Sequence, residues 1–253
     1  MPLLGGDPMP SARCWVSVAH TLACYALGLT PYGAAHRLQR ELVERRRLDQ
    51  IGDLALLLEH DPVITLGRRA DPAHILAGPE ALAGLGITVH RVERGGDATY
   101  HGPGQLVVYP ILRLRDHDLG ASDYMHLLED VAIATLADFG IGAGRREGYI
   151  GVWVGGDKLC ALGVRVMRGI TMHGLALNVA PDMAHWATIV PCGIRDGGVG
   201  SMADVLGRAP AIDAVGRRLA GHLARALGAT LTWEQAERLP WPDATAEDAP
   251  AWP

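Results

Sequence analysis

The sequence predicts an α+β domain in which a mixed, mostly antiparallel sheet is packed with helices. Three apolar runs over 150–179 are separated by short joints with the composition of tight turns, which predicts an antiparallel meander. Two stretches, over 31–48 and 122–139, space their apolar residues three and four apart, as one face of a helix does. Hairpin-linked strands interleaved with a few helices are typical of the α+β class.

The composition is that of an ordinary globular protein, since 49% of the 253 residues are hydrophobic and 20% are charged. This length is sufficient for a substantial core, and no linker interrupts it. We expect a single domain over 24–228, an N-terminal extension over 1–23, and an acidic, proline-rich tail over 229–253. The apolar run at 13–29 is too short to span a membrane, so no membrane association is expected.

The net charge of −5 is uneven along the chain, because residues 234–253 hold five acidic side chains and one arginine. Arginines cluster in the rest of the chain, which is close to neutral. A locally basic surface of this kind would steer acidic protein partners. Nucleic acid is not an expected partner, because aromatic residues are scarce and no recognition motif accompanies the arginines.

Four cysteines occur without a Cys-x-x-Cys pair, so the sequence predicts no metal site, no redox dithiol and no disulfide. This cysteine usage fits a reducing compartment, and we expect the protein to be cytoplasmic. Cys14, Cys24 and Cys160 are each flanked by apolar residues, as inert buried cysteines usually are.

The first elements are a strand over 24–29 and a helix over 31–48. Thr30-Pro31 is a good helix start, with threonine as N-cap and proline at the first helical position. Asp61-Pro62 has turn composition and separates two apolar runs, which predicts a hairpin-length connection. The strands expected in this part of the chain are 54–59, 63–67, 87–92 and 105–114.

The second half of the chain begins with the helix over 122–139, for which Ser122 is the expected cap. Ser201, with Asp204 three residues later, resembles a capping box and predicts a short helix. A last helix is expected over 212–227. The strands of the meander between these helices are 150–154, 159–167 and 170–179.

Lys158 and Cys192 predict a reactive cysteine paired with an amine. Lys158 follows a Gly-Gly-Asp turn, whereas Cys192 lies between Pro191 and Gly193 on a sharp irregular turn. Only a thiolate is a good sulfur nucleophile, and a nearby ammonium favours the thiolate. If the fold brings these two side chains together, Cys192 is a nucleophile activated by Lys158.

A glycine-rich segment with the sequence RGGDATYHGPGQ runs from Arg94 to Gln105. Four glycines in twelve residues let backbone amides approach a ligand closely and point several N–H donors at one oxygen, which suits carbonyl recognition. The segment matches neither the GxGxxG nor the GxxxxGK[ST] nucleotide fingerprint. Taken alone, it would equally fit a pair of ordinary hairpin turns.

The sequence resembles the lipoyl(octanoyl) transferase family in four motifs that occur in one order, RGGDATYHGPGQ, GDKLCALGVRV, HGLALNV and PCG. The resemblance covers roughly 28–207 and includes LLLEHDPVITLGRR at 56–69. It implies a fold like that of biotin and lipoate protein ligases. It also implies that an octanoyl or lipoyl group passes from acyl carrier protein to a cysteine, and then to a lysine ε-amine on a lipoyl domain, as the first step of protein lipoylation.

The resemblance implies that Cys192 accepts the acyl group and that Lys158 activates it. The implied substrate-contacting residues are Arg94, Gly95, Gly96, Asp97, Ala98, Thr99, Tyr100, His101, Ala161, Leu162, Gly163, Gly174, Leu175 and Ala176. The implied donor is octanoyl-acyl carrier protein, with the acyl group on its phosphopantetheine, so the enzyme needs no cofactor and no metal of its own. The implied acceptors are the lipoyl domains of 2-oxoacid dehydrogenase complexes and the glycine cleavage H protein.

The chemistry of such a transfer fits these residue types. Exchange between thioesters is nearly thermoneutral, so the first step needs a nucleophile rather than an energy source. The second step needs a neutral acceptor amine, and a lysine with a pKa of about 10.4 is mostly protonated at neutral pH. We predict that Lys158 takes that proton once acylation has consumed the thiolate, provided that burial favours its neutral form. Amides near Gly193 or in the glycine-rich segment would form the oxyanion hole.

Several alternatives stay open from the sequence. His101 and His173 are the rival bases, although we assign both to site architecture or substrate binding. Leu162, Leu175 and Tyr100 are expected to form an apolar groove for the octanoyl chain. The rival functions are a Cys/His thioester hydrolase, an ATP-dependent lipoate-protein ligase, and a carrier-binding module that grips an acyl chain without reacting.

Overall fold

The computed structural model describes residues 20–191 and 197–243, and it confirms the predicted α+β class. In chain order the elements are β1 (His20–Leu29), α1 (Tyr32–Arg47), β2 (Asp53–Glu59), β3 (Val63–Leu66), α2 (Pro79–Gly84), β4 (Thr88–Arg91), β5 (Ala98–His101), β6 (Gln105–Ile111), α3 (Ala121–Asp138), β7 (Gly144–Arg146), β8 (Tyr149–Val154), β9 (Asp157–Met167), β10 (Ile170–Asn178), β11 (Gly198–Val199), α4 (Met202–Leu206), α5 (Ile212–Ala226) and β12 (Ala229–Glu234).

The described strands form two sheets. The large sheet has the order β12-β1-β2-β6-β10-β9-β8-β7, with β11 paired to β9, and the small sheet has the order β4-β3-β5. Six of the ten pairs among these strands are antiparallel, so the prediction of a mixed, mostly antiparallel sheet is confirmed. The predicted meander is present as β8, β9 and β10.

Helices cover both faces of the large sheet. Along β2, Leu54, Leu56 and Leu58 pack in the same cluster as α1. Ala55 and Leu57 point the other way and pack in the cluster that contains α3 and α5. Because side chains alternate across a strand and both faces are buried here, the central strands are apolar throughout rather than alternately polar.

The large sheet extends beyond both predicted ends of the domain. β1 begins at His20, within the stretch assigned to the N-terminal extension, and β12 lies within the stretch assigned to the tail. β12 pairs in parallel with β1 over six residues, from His20 opposite Ala229 to Tyr25 opposite Glu234. The residues of β12 alternate between apolar and polar, which is the pattern of a half-buried strand, and this signal was missed because it lies in a stretch assigned to an acidic, proline-rich tail.

The connection between β2 and β3 is as short as predicted, but the two strands do not pair with each other. β2 lies between β1 and β6 in the large sheet, whereas β3 pairs with β4 and β5 in the small sheet. The turn at Asp61-Pro62 redirects the chain from one sheet to the other. The glycine-rich segment, expected to be a connection, contributes β5 to the small sheet.

Two of the three predicted helix caps differ in the structure. The Thr30 hydroxyl donates to the carbonyls of Leu27 and Gly28, and Pro31 occupies the N-cap position of α1. Gly120, rather than Ser122, precedes α3. The capping box before α4 is confirmed. No helix in the described ranges is long and apolar enough to cross a membrane.

Candidate active site

A cavity that is partly open to solvent lies where β5 and the glycine-rich segment face β9 and β10 of the large sheet. The first residue of α1 and two residues of β6 complete its wall. The described residues that line it are Tyr32, Arg94, Gly96, Asp97, Thr99, His101, Val107, Tyr109, Ala161, Leu162, Gly163, His173, Gly174, Leu175 and Ala176. The cavity thus joins segments that are far apart in the sequence.

Eleven of the fourteen residues implied as substrate-contacting line this cavity. The three that do not are Gly95, Ala98 and Tyr100. Side chains alternate along β5, so Thr99 and His101 face the cavity. Ala98 and Tyr100 face the opposite way and pack in the core of the small sheet.

Tyr100 is therefore not part of an apolar groove in the cavity, and that expectation is wrong. Its ring packs edge-on against Trp186 with the centroids 5.7 Å apart, and its hydroxyl lies 2.7 Å from Nδ1 of His185. Leu162 and Leu175, the other two residues expected in the groove, do line the cavity.

Three lining residues, Tyr32, Val107 and Tyr109, were missed by the sequence analysis. Val107 and Tyr109 lie two apart on β6 and share a face, but β6 is buried on both faces, so periodicity does not show which face meets the cavity. The hydroxyl of Tyr109 lies 2.8 Å from Nε2 of His60. Burial raises the pKa of Tyr32 and of Tyr109, so both phenols stay neutral.

Arg94 fixes the glycine-rich segment against the small sheet. Its guanidinium donates to the backbone carbonyl of Thr65 at 2.6 Å and to the hydroxyl of Thr65 at 2.8 Å. The next residue, Gly95, donates its N–H to the carbonyl of Val164 on β9 at 3.0 Å, which ties the segment to the large sheet. Since this bond already uses the Gly95 amide, an oxyanion hole in the segment must use other donors.

His101 is a neutral imidazole at the cavity wall. Its Nδ1 lies 2.7 Å from Oε1 of Gln105, whose Nε2 donates to Oδ1 of Asn178 at 2.8 Å. Because the Gln105 oxygen can only accept, Nδ1 of His101 carries the hydrogen. Burial, and next the neighbouring His60, lowers the pKa of His101 from 6.5 to about 3.

His173 is also neutral and is held in an unusual backbone conformation. Its φ of 60° lies in the left-handed region, and its N–H donates to Oε1 of Gln39 at 2.8 Å. Burial lowers its pKa from 6.5 to about 3. A left-handed, non-glycine residue is costly, which points to a constraint at this position.

Lys158 lies on β9, three residues before Ala161, and its side chain is only 7% exposed. Its Nζ lies 4.9 Å from the centre of the Trp153 ring, within the range of a cation–π contact. Among the described residues, no carboxylate forms an ion pair with it. The cavity wall formed by the described residues does not include Lys158. The amine is therefore sheltered from solvent and has no described anion beside it.

One signal in the sequence singles out Lys158 and was overlooked. It is the only lysine of the chain, which otherwise carries 22 arginines. A guanidinium cannot lose its proton in a protein, whereas an ammonium can. The one position that holds a lysine is thus the one predicted to need a removable proton.

The chain around Lys158 is shaped to receive its side chain. The pairing of β8 with β9 shifts register between Val152 and Trp153, directly across from Lys158. Gly151, at φ 130°, leaves no room for a larger residue, since a Cβ there would lie 2.8 Å from the carbonyl oxygen of Cys160, and it would also come within 3.1 Å of Cε of Lys158. The Gly151 N–H donates to the Glu129 carboxylate of α3 at 3.0 Å, which fixes the strand in this position.

Cys192 lies outside the described residues, so the predicted contact between its sulfur and Lys158 stays a prediction. The described chain resumes at Gly197, and Gly198 and Val199 then pair with Asp157 and Lys158. Gly193, named for the oxyanion hole, and Cys14 also lie outside. Cys24 and Cys160 are fully buried, and burial raises the pKa of each thiol to about 12. Neither of these two is a reactive thiolate.

Comparison with known proteins agrees with the geometry. Residues 31–224 match the model of the family described as the lipoyl protein ligase A/B catalytic domain. A protein of Chloroflexus aggregans named octanoyltransferase is 50% identical over 206 residues, which is 80% of this chain and 93% of that protein. Another octanoyltransferase, from Rubrobacter xylanophilus, is 49% identical over 203 residues, covering 79% of this chain and 91% of its own length.

Solved structures share the fold at much lower identity. One of them is a bi-partite lipoate protein ligase from Thermoplasma acidophilum, from a structural analysis of that ligase and its E2 lipoyl domain. It is 16% identical to this chain, with a TM-score of 0.68. The match covers 90% of this chain and 89% of that one. At that identity the likeness shows the fold alone, and it confirms the ligase-like fold implied by the four motifs. Because the family model spans most of the chain and relatives of nearly full length are about half identical to it, the chain belongs to the lipoyl protein ligase A/B catalytic domain family.

Proposed function

We propose that this protein is an octanoyltransferase that moves an octanoyl group to a lysine ε-amine through a thioester on Cys192. Relatives of 45% to 50% identity carry that name. The observation that carries the proposal is the setting of Lys158. A buried amine without a described carboxylate lies on the strand that lines the cavity, and the chain that follows Cys192 returns to pair with that strand.

Cys192 is the proposed nucleophile because the other cysteines are poor candidates. Cys24 and Cys160 are buried thiols with raised pKa values. Cys14 precedes the part of the chain that matches the family, whereas Cys192 falls within it. In the proposed pair, the Lys158 ammonium would favour the Cys192 thiolate.

In the first half-reaction, the Cys192 thiolate attacks the thioester carbonyl of the octanoyl donor. The carbon–sulfur bond to the carrier breaks, the carrier thiolate takes a proton from the Lys158 ammonium and leaves as a thiol, and the octanoyl group stays on Cys192. In the second half-reaction, the acceptor amine attacks that thioester. An amide forms, the bond to Cys192 breaks, and Lys158 takes the proton that the amine loses.

The proposed donor is octanoyl-acyl carrier protein, and the proposed acceptors are the lipoyl domains of 2-oxoacid dehydrogenase complexes and the glycine cleavage H protein. We propose that the reaction is cytoplasmic. It needs no cofactor of its own, because exchange between thioesters is nearly thermoneutral and amide formation is favourable. Leu162 and Leu175 are apolar and line the cavity, which suits an acyl chain.

The test is an intact-mass measurement after incubation with octanoyl-acyl carrier protein alone. We expect the protein to gain the mass of one octanoyl group and to lose it again when an apo lipoyl domain is added. Cys192→Ser should abolish the gain, whereas the matched control Cys160→Ser should retain it. A mass gain that survives Cys192→Ser would overturn the proposed nucleophile.

The same experiment separates the rival functions. A hydrolase would release free octanoate at a rate indifferent to the lipoyl domain. The neutral imidazoles of His101 and His173, with pKa values near 3, are weak bases for such a reaction. An ATP-dependent ligase would need ATP for transfer, and a module that merely grips the acyl chain would show no covalent gain in mass.

A further inference from the structure

Three potential metal ligands meet beside the cavity, on three different elements. They are His36 of α1, Glu93 two residues after the end of β4, and His173 of β10. One ligand atom from each lies within 4.8 Å of the other two. Two imidazoles and one carboxylate form a ligand set that divalent transition-metal ions bind, leaving further positions for water.

The spacing of these atoms is close to what a metal ion requires. Bonds of about 2.0–2.1 Å in a tetrahedral site put neighbouring ligand atoms about 3.3 Å apart. Nε2 of His36 and Oε2 of Glu93 are already 3.2 Å apart. The ligand atom of His173 lies within 4.8 Å of those of His36 and Glu93, so it would have to approach by at most about 1.5 Å.

His173 provides the second, independent indication of a ligand. It is 2% exposed, and its Nε2 is a buried polar atom without a hydrogen-bond partner among the described residues. Leaving such an atom unsatisfied costs about 1–3 kcal/mol, so an unpartnered one calls for an explanation. The left-handed backbone of His173 adds strain at the same residue.

The residues around the three candidate ligands contact them and fix their positions. Oε1 of Glu93, the oxygen not directed at His36, accepts from Nη1 of Arg165 at 2.7 Å. The ring of Tyr32 stacks on His36 with the centroids 5.9 Å apart. Gln39 of α1 holds the N–H of His173, which fixes α1 against β10. Outer contacts of this kind orient metal ligands.

We propose that His36, Glu93 and His173 bind a divalent transition-metal ion of the zinc, cobalt or iron(II) type. The ion would connect α1, the residue before the glycine-rich segment, and β10. Since Arg94 and His173 also line the cavity, the ion would fix two parts of its wall relative to each other. The site departs from the expectation that the protein has no metal, which rested on the absence of closely spaced ligands. These three residues are 57 and 80 positions apart and give no sequence motif.

The test uses the full-length protein, freed of metal with a chelator and titrated with Co²⁺. We expect one equivalent to bind, with a visible absorption band and a rise in the melting temperature. His36→Ala and Glu93→Gln should each weaken binding by at least about tenfold. The matched control is His90→Ala, because His90 is also a half-buried histidine beside Tyr32 but lies outside the cluster.

Binding that is equally strong in Glu93→Gln, or no binding by the unsubstituted protein, would overturn the proposal. Glu93→Gln nearly preserves side-chain shape, so it decides the question even if His36→Ala unfolds the protein. None of these measurements depends on acyl transfer. Failure of the metal site and failure of the proposed octanoyl transfer are therefore distinguishable.

Discussion

In the proposed mechanism, Lys158 serves both half-reactions with one side chain. As an ammonium it would stabilise the Cys192 thiolate, and as an amine it would take the proton of the acceptor. Lys158→Ala should therefore slow acylation and transfer alike, each by about a hundredfold to ten-thousandfold, which rapid-mixing mass spectrometry would measure separately. Normal acylation in this variant would contradict the shared role.

Lys158→Arg separates the two roles. Arginine keeps a positive charge near the thiolate but does not release a proton, so acylation should recover in part while transfer stays slow. Equal recovery of both steps would show that Lys158 acts by charge alone. Arg146→Lys is a suitable control, because Arg146 contacts the same Trp153 ring from 5.0 Å and has no assigned role in the transfer.

At the residue scale, sequence analysis can name candidates where residue identity carries the chemistry. Only an amine and a thiol can play the roles assigned to Lys158 and Cys192, so they are visible without a structure. Tyr32 and Tyr109 line the cavity because of the way the chain folds. Tyrosine is also common in protein cores, so residue type alone does not show that these two line a cavity. Tyr100 shows the reverse error, since one step along a strand moves a side chain to the other face.

At the scale of elements, the hairpin of β8 and β9 depends on Gly151. A Cβ at this position would lie 2.8 Å from the carbonyl oxygen of Cys160, and φ is 130°. Gly151→Ala should destabilise the fold by about 1–3 kcal/mol in urea unfolding. It should also slow transfer by about a hundredfold, because displacing Lys158 by about 1 Å disturbs its alignment.

Gly156→Ala is the matched control for Gly151→Ala, since it lies in the same hairpin with nothing within 4 Å of its Cβ position and no positive φ. It should leave transfer within about twofold of the unsubstituted rate. If both alanine variants transfer equally well, then the close packing of Gly151 on Lys158 does not position the amine.

Element boundaries were predictable where tight turns and periodicity agree, as in the meander and in α5. The predictions failed for strands whose pairing partners lie far away in the sequence. β5 has only four residues, every second residue of β12 is polar, and the turn before β3 does not specify which sheet β3 joins. Pairing between strands is set by contacts that no local pattern contains.

At the scale of the whole molecule, several buried histidines make stability depend on pH. Burial lowers the pKa of His60 to about 4, and that of His101 and His173 to about 3, from 6.5 in the unfolded chain. Below pH 6.5 the unfolded state therefore binds more protons, and stability falls as the pH falls towards 4. Each imidazole contributes up to about 1.4 kcal/mol per pH unit. His117, whose pKa is raised by Asp53, acts in the opposite sense but is a single group.

We expect the urea midpoint to fall steadily between pH 6.5 and pH 4. His60→Gln removes one of the three groups and should make that decline shallower by roughly a third, whatever its effect at neutral pH. Constant stability across this range would show that the three imidazoles are protonated in the folded protein.

The composition of the surface has a further consequence for a protein that carries an activated acyl group. Lys158 is the sole lysine of the sequence, and it is buried. The cationic side chains elsewhere are guanidiniums and imidazoles, and a guanidinium stays protonated and does not attack a thioester. A molecule that carries the proposed octanoyl thioester is therefore exposed to almost no competing amine on other copies of itself. The octanoyl group is kept for a protein that presents an accessible lysine.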